Sequence, residues 1–142
     1  MAPETVILAV DPGREKCGVA VLSPTRVLDH RVIPTSGLVR FVADVQGERA
    51  LTWAVLGDRT FSGEVRKLLE AHFPGLAVVA VAEEGTTLEA RRLYFTDHPP
   101  RGWRRLLPLS LQVPPVPHDD YAAIALGRRF LAIPGRAPVK PP

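Results

Sequence analysis

Cysteine is almost missing from this chain: one residue, Cys17, in 142. That excludes an intramolecular disulfide framework and a zinc site built from several cysteines. Lysine is scarce as well, with 3 residues against 15 arginines. The first residues, Met1 to Thr5, hold no basic stretch followed by an apolar one, so no secretory signal is expected. No run of about 18 apolar residues occurs, so no membrane span and no membrane partner are expected. Internal repeats are lacking, and low complexity is confined to the Pro-rich end. The expected setting is the cytoplasm.

Hydrophobic residues make up 46% and charged residues 23% of the chain. Such a balance supports a globular core and excludes wholesale disorder. At this length one domain is expected, over residues 1–132, followed by a Pro-rich tail over 133–142. The formal charge is +3, mildly in favour of a polyanionic partner. Arginine suits phosphate because its planar fork donates two hydrogen bonds at once, although a GC-rich genome produces the same bias.

Thr5–Val10 is a β-branched apolar run that reads as a buried strand. Asp11-Pro12-Gly13 breaks it, Cys17–Leu22 resumes as a strand, and Arg26–Ile33 reads as a third. Short links make these three an antiparallel meander. The period then turns helical at Leu38, Phe41, Val42 and Val45, with Gly47 as the stop. A fourth strand follows at Leu51–Leu56. Val65, Leu68 and Leu69 mark a second helix ending near Phe73-Pro74-Gly75. A fifth strand covers Leu76–Ala82. Thr86 and Glu89 form a capping-box pattern opening a third helix that runs to about Phe95. His98 to Pro117 is rich in proline but too apolar for a solvated linker, and reads as an excursion packed on the domain. Asp119–Leu131 is a final helix. The order predicts an α/β fold: a five-stranded mixed sheet, strands one to three antiparallel, with helices on both faces.

Three acidic sites stand where a core segment has just ended or is about to begin. Asp11 ends the first strand, Glu83-Glu84 follows the fifth, and Asp119-Asp120 opens the last helix. Carboxylates gathered at one sheet edge repel unless something cationic lies between them. Hard oxygen donors suit Mg²⁺ or Mn²⁺, and two such ions can clamp both the attacking water and the leaving oxygen of a phosphodiester. Singly, each acid has a plainer reading as a turn residue or a helix cap. Three at matching places favour the shared site.

These segments resemble the YqgF/RuvX group of RuvC-like nucleases, in the RNase H-like superfamily. Asp11-Pro12-Gly13-Arg14-Glu15-Lys16-Cys17-Gly18-Val19-Ala20 looks like that group's D-x-G-x(4)-G-V-A strand-turn-strand. Ala82-Glu83-Glu84-Gly85-Thr86-Thr87-Leu88-Glu89-Ala90 looks like its D-E-R-x-[ST]-T-x-E-A segment. Asp119-Asp120-Tyr121-Ala122-Ala123 looks like its D-x-x-A-A helix start. The resemblance covers nearly the whole length. It implies an RNase H-like fold and metal-dependent cleavage of structured RNA or branched DNA, including the small-subunit ribosomal RNA precursor. It implies catalytic, metal-holding roles for Asp11, Glu83 and Asp119 with two Mg²⁺ or Mn²⁺ ions, and it leaves a homodimer open. Three departures stand out. Ala82 replaces an Asp, Glu84 replaces an Arg, and Leu56-Gly57-Asp58-Arg59-Thr60 replaces the group's G-[LF]-P segment.

Nucleic-acid contacts are expected from Arg14 and Lys16 beside Asp11, and from Arg91, Arg92, Arg101, Arg104 and Arg105. Tyr94, Phe95 and Trp103 are interleaved with the latter. Arginines for phosphates with aromatics for stacking suit single strands or junctions; the alternative is a solvated face over core aromatics. Gly13 and Gly18 permit close approach beside Asp11, or simply a tight turn. His118 reads as exposed or as a proton-transfer group, Cys17 as a small core residue and Trp53 as core. Two other functions share these features. One is a nucleic-acid-binding module without catalysis. The other is a phosphate-binding domain of the actin and sugar-kinase type, which needs a second such domain.

Overall fold

The computed structural model describes residues 5–59, 61–99, 102, 106–108 and 119–133. Five strands and four helices follow the expected order: β1 Ile7–Asp11, β2 Lys16–Leu22, β3 Val27–Pro34, α1 Leu38–Glu48, β4 Trp53–Gly57, α2 Ser62–His72, β5 Ala77–Val81, α3 Thr86–Asp97 and α4 Asp119–Leu131. They build one sheet in the order β3-β2-β1-β4-β5. β1 pairs antiparallel with β2 and β2 with β3, whereas β4 runs parallel to β1 and β5 parallel to β4. The expected mixed sheet with an antiparallel meander is what forms.

β1 lies in the middle and is buried on both faces, which is why it reads as an uninterrupted apolar run. Alternate residues leave it in opposite directions. Leu8 and Val10 join Val19 and Val21 under Leu38, Phe41 and Val42 of α1 and Val65 and Leu69 of α2. Ile7 and Ala9 join Ala20 and Leu22 under Tyr94 of α3 and Ile124, Leu126 and Phe130 of α4. Helices therefore cover both faces. Cys17 is fully buried in the first of these cores. Trp53 is half-buried, its ring 5.3 Å from that of Phe130.

Several boundaries differ from the sequence expectation. α1 continues through Gly47, because the amide of Arg49 still reaches the Val45 carbonyl. The capping box does not form. Thr86 lies inside α3, with left-handed Gly85 at the cap, and its hydroxyl donates to the Glu83 carbonyl instead. α3 extends to Asp97. Most of the Pro-rich excursion, with Trp103 and His118, and most of the tail lie outside the described residues. Among the described residues no helix is long and apolar enough to cross a membrane.

Candidate active site

The parallel arrangement of β1, β4 and β5 brings their C-terminal ends to one edge, where open α/β sheets usually hold ligands. Asp11 is the last residue of β1. Glu83 stands two residues beyond β5, and its side chain packs across Gly57 at the end of β4, towards Asp11. Burial is the main force on Asp11; the bond to Glu83 and the charges of Glu83 and Asp119 add to it, and Arg59 opposes. Together they push the carboxyl from an ordinary 3.8 up to about 8.

Glu83 is held in place by the loop after β4. The Arg59 amide donates to Glu83 Oε2 at 2.9 Å, and the Glu83 amide donates to Asp58 Oδ1 at 3.1 Å. The Arg59 guanidinium lies 4.0 Å from the same carboxylate oxygen. Gly57 makes the space: a Cβ there would stand 2.5 Å from Glu83 Cδ. From the sequence, Gly57-Asp58 reads as the close of the fourth strand and Leu56 to Thr60 as a departure from a family segment, not as part of the site. The signal was a glycine at the end of a buried strand, followed by an acid and a base, with a second apolar strand leading into Glu83.

The two members of each acidic doublet have different surroundings. Glu83 is buried and faces Asp11, while Glu84 is exposed. At the start of α4, Asp120 is taken up by His30 of β3, with Oδ2 2.7 Å from Nδ1. Asp119 instead faces the β1–β2 turn, with Oδ2 3.9 Å from Lys16 Nζ. Asp11, Pro12, Gly13, Arg14, Glu15, Lys16 and Asp119 line a cavity of about 340 Å³.

Half-buried Asp11 and buried Glu83, with Asp119 beside them, are oxygen donors of the kind a hard divalent cation takes. The set is not a closed cage. Asp119 leans to Lys16, and among the described residues no three acidic, His or Cys side chains close on one point. The chemistry of the donors suits such a cation: Asp11 and Glu83 would supply oxygens from the strand ends and Asp119 from the cavity lining.

Among the arginines, Arg14 is exposed, its guanidinium 5.9 Å from the centre of the Phe61 ring. Arg92 is exposed on α3, whereas Arg91 is half-buried there. Arg101, Arg104 and Arg105 lie outside the described residues. Tyr94 is buried and packs against His98 and Tyr121, so it serves the core and does not stack on bases. The Tyr121 hydroxyl donates to Asp97 Oδ2 at 2.9 Å. This bond ties the end of α3 to the start of α4.

Two solved structures share this architecture. One is Thermus thermophilus RuvC in complex with a Holliday junction substrate: 18% identity, 89% of this chain, 92% of that chain, TM-score 0.57. The other is Thermus thermophilus RuvC by itself: 16% identity, 89% and 93% covered, TM-score 0.55. The fold is that of RuvC. Neither a protein-family model nor a curated protein sequence matches the chain.

Proposed function

We propose that this RuvC-like chain is a divalent-metal-dependent endonuclease of the YqgF/RuvX kind, cutting phosphodiester bonds in structured nucleic acid. The observation that carries the reading is half-buried Asp11 beside buried Glu83, with Asp119 near them, at the sheet edge where three strands end. Asp11 would hold the metal centrally, with Glu83 on one side and Asp119 on the other. Bound Mg²⁺ or Mn²⁺ would supply a water of lowered pKa and stabilise the leaving oxygen. The rest falls to side chains. Arg14 and Lys16 orient the backbone beside Asp11. Arg91, Arg92, Arg101, Arg104 and Arg105 hold other phosphates of the nucleic acid. Arg59 limits the negative charge around Asp11 before metal arrives. Branched DNA, as in the RuvC complex with a Holliday junction substrate, and the folded ribosomal RNA precursor are the two substrate classes.

The test is cleavage of a four-way DNA junction and of structured RNA, side by side, with Mg²⁺, Mn²⁺ or a chelator. Metal-dependent cutting of one class identifies the substrate; no cutting of either removes the proposal. The doublets sharpen it. Glu83→Gln and Asp119→Asn should reduce cleavage to background, whereas Glu84→Gln and Asp120→Asn should keep most of it. Full activity in Glu83→Gln with loss in Glu84→Gln would overturn the assignment.

The arginine segment makes a separate expectation. Each phosphate contact releases counterions, so binding weakens with salt at a slope of about 0.9 per contact on duplex DNA. Replacing Arg101, Arg104 and Arg105 together with Ala should weaken binding and lower that slope by up to roughly three. Affinity measured from low to moderate salt reads this directly, and an unchanged slope argues against the segment as the phosphate contact.

A further inference from the structure

Glu83 is not part of a strand. β5 ends at Val81, and a carboxylate on the loop beyond it would drift unless the backbone were fixed. Here that backbone is fixed group by group. The Glu83 amide donates to Asp58, and the Glu83 carbonyl accepts from the Thr86 amide at 2.9 Å and the Thr86 hydroxyl at 2.6 Å. The carbonyls on either side accept from a different element. Arg129, in the last turn of α4, donates from Nη1 to the Ala82 carbonyl at 2.7 Å and the Glu84 carbonyl at 2.6 Å. Its Nη2 stands 3.4 Å from Oε1 of Glu89, in the first turn of α3.

A basic residue in the last turn of a helix ordinarily serves that helix's own free carbonyls. Arg129 leaves its helix and grips the two carbonyls that bracket Glu83. α4 also carries Asp119 at its other end, and its apolar face is buried along the sheet from Tyr121 to Phe130. One rigid element therefore presents one acid of the site directly and fixes the loop of another.

We propose that Arg129 is a positioning residue that sets the Glu83 carboxylate against Asp11, so that α4 aligns the two outer acids of the site. The proposal rests on reading Asp11, Glu83 and Asp119 as the metal-holding set. Arg129 touches neither metal nor substrate; it acts through the backbone of 82–84. Supporting groups of this kind typically change metal affinity or activity by about 10–100-fold when removed.

Arg129→Met keeps the apolar stem and removes the donors. In the full chain without nucleic acid, calorimetric titration with Mn²⁺ should show affinity reduced by about 10–100-fold. The Mn²⁺ needed for half-maximal cleavage should rise by the same factor, with nucleic-acid affinity in chelator unchanged. Arg129→Lys keeps a charged donor and should lose less Mn²⁺ affinity than Arg129→Met. If Arg129→Met does not fold, Glu89→Gln takes its place, since it loosens the guanidinium without entering the core; a weaker Mn²⁺ affinity is again expected. A parent that binds Mn²⁺ and a folded variant that binds it equally well overturn the role of Arg129 alone. A parent that binds no Mn²⁺ overturns the metal site and this role together.

Discussion

Asp11→Asn is expected to abolish cleavage and, in metal-free solution, to raise the melting temperature. Loss of activity follows because the central charge of the donor set is gone while the side chain's shape is kept. The gain in stability follows from the same charge. Folding buries Asp11 against Glu83 and near Asp119, and its carboxyl rises from 3.8 to about 8. A raised value in the folded state means that the fold binds the proton more tightly than the unfolded chain does. That contribution is fully present below pH 3.8 and is lost as pH rises through about 8. Between those values the parent pays a growing cost, either to keep the proton or to bury the charge. Asparagine has no charge to bury, so the gap between variant and parent should open from about pH 4 and level off above about pH 8, at an order of a few kcal/mol. Thermal melts across that range check it. Saturating Mn²⁺ should narrow the gap, because ligand binding stabilises the parent by about 2.7 kcal/mol at a hundred times Kd, and the variant little. A gap that narrows towards high pH would contradict the assignment.

Gly18→Ala should lower stability and cleavage together. Gly18 lies opposite Asp11 in the β1–β2 register, and the start of α4 sits directly on it. A Cβ at Gly18 would come within 1.9 Å of the Asp119 carbonyl oxygen and 2.6 Å of the Asp120 amide nitrogen. Both are backbone atoms, so no rotamer relieves the overlap. Either β2 yields in the middle of the sheet or the start of α4 lifts. Lifting would carry Asp119 away from Lys16 and Asp11, and Asp120 away from His30. Overpacking of this kind costs roughly 1–3 kcal/mol or more. A misplacement of about 1 Å at a reacting site can cost on the order of 100-fold in rate. Denaturant midpoints and single-turnover cleavage should both fall. A variant with parent stability and activity would show that α4 does not need this contact.

The sheet was legible because its signals are local. β1 is a run of β-branched and small apolar residues, Asp11-Pro12-Gly13 is turn chemistry, and α4 occupies the span its apolar face marks out. The capping box misled, because Thr86 can satisfy the Glu83 carbonyl as readily as a helix amide, and Gly85 takes the cap with its positive φ. Asp11 could be read from its place at a strand end. Glu83 against Glu84, and Asp119 against Asp120, could not be separated on local grounds. Those choices depend on His30, 90 positions from Asp120, and on the Gly57-Asp58-Arg59 loop, about 25 positions from Glu83. Arg129 was invisible for the same reason: its partners, Ala82 and Glu84, lie 47 and 45 residues away on another element.

The measurement that bears most directly on the account is Mn²⁺ binding near pH 7, followed by calorimetry in buffers of different ionisation enthalpy. With its carboxyl raised to about 8, Asp11 carries a proton at that pH, and a cation held by Asp11 would have to displace it. The account predicts binding to the parent with release of about one proton, reflecting a carboxyl raised to about 8. It predicts neither the release nor tight binding in Asp11→Asn. Equal Mn²⁺ affinity in parent and Asp11→Asn, or no binding to the parent at all, would contradict it.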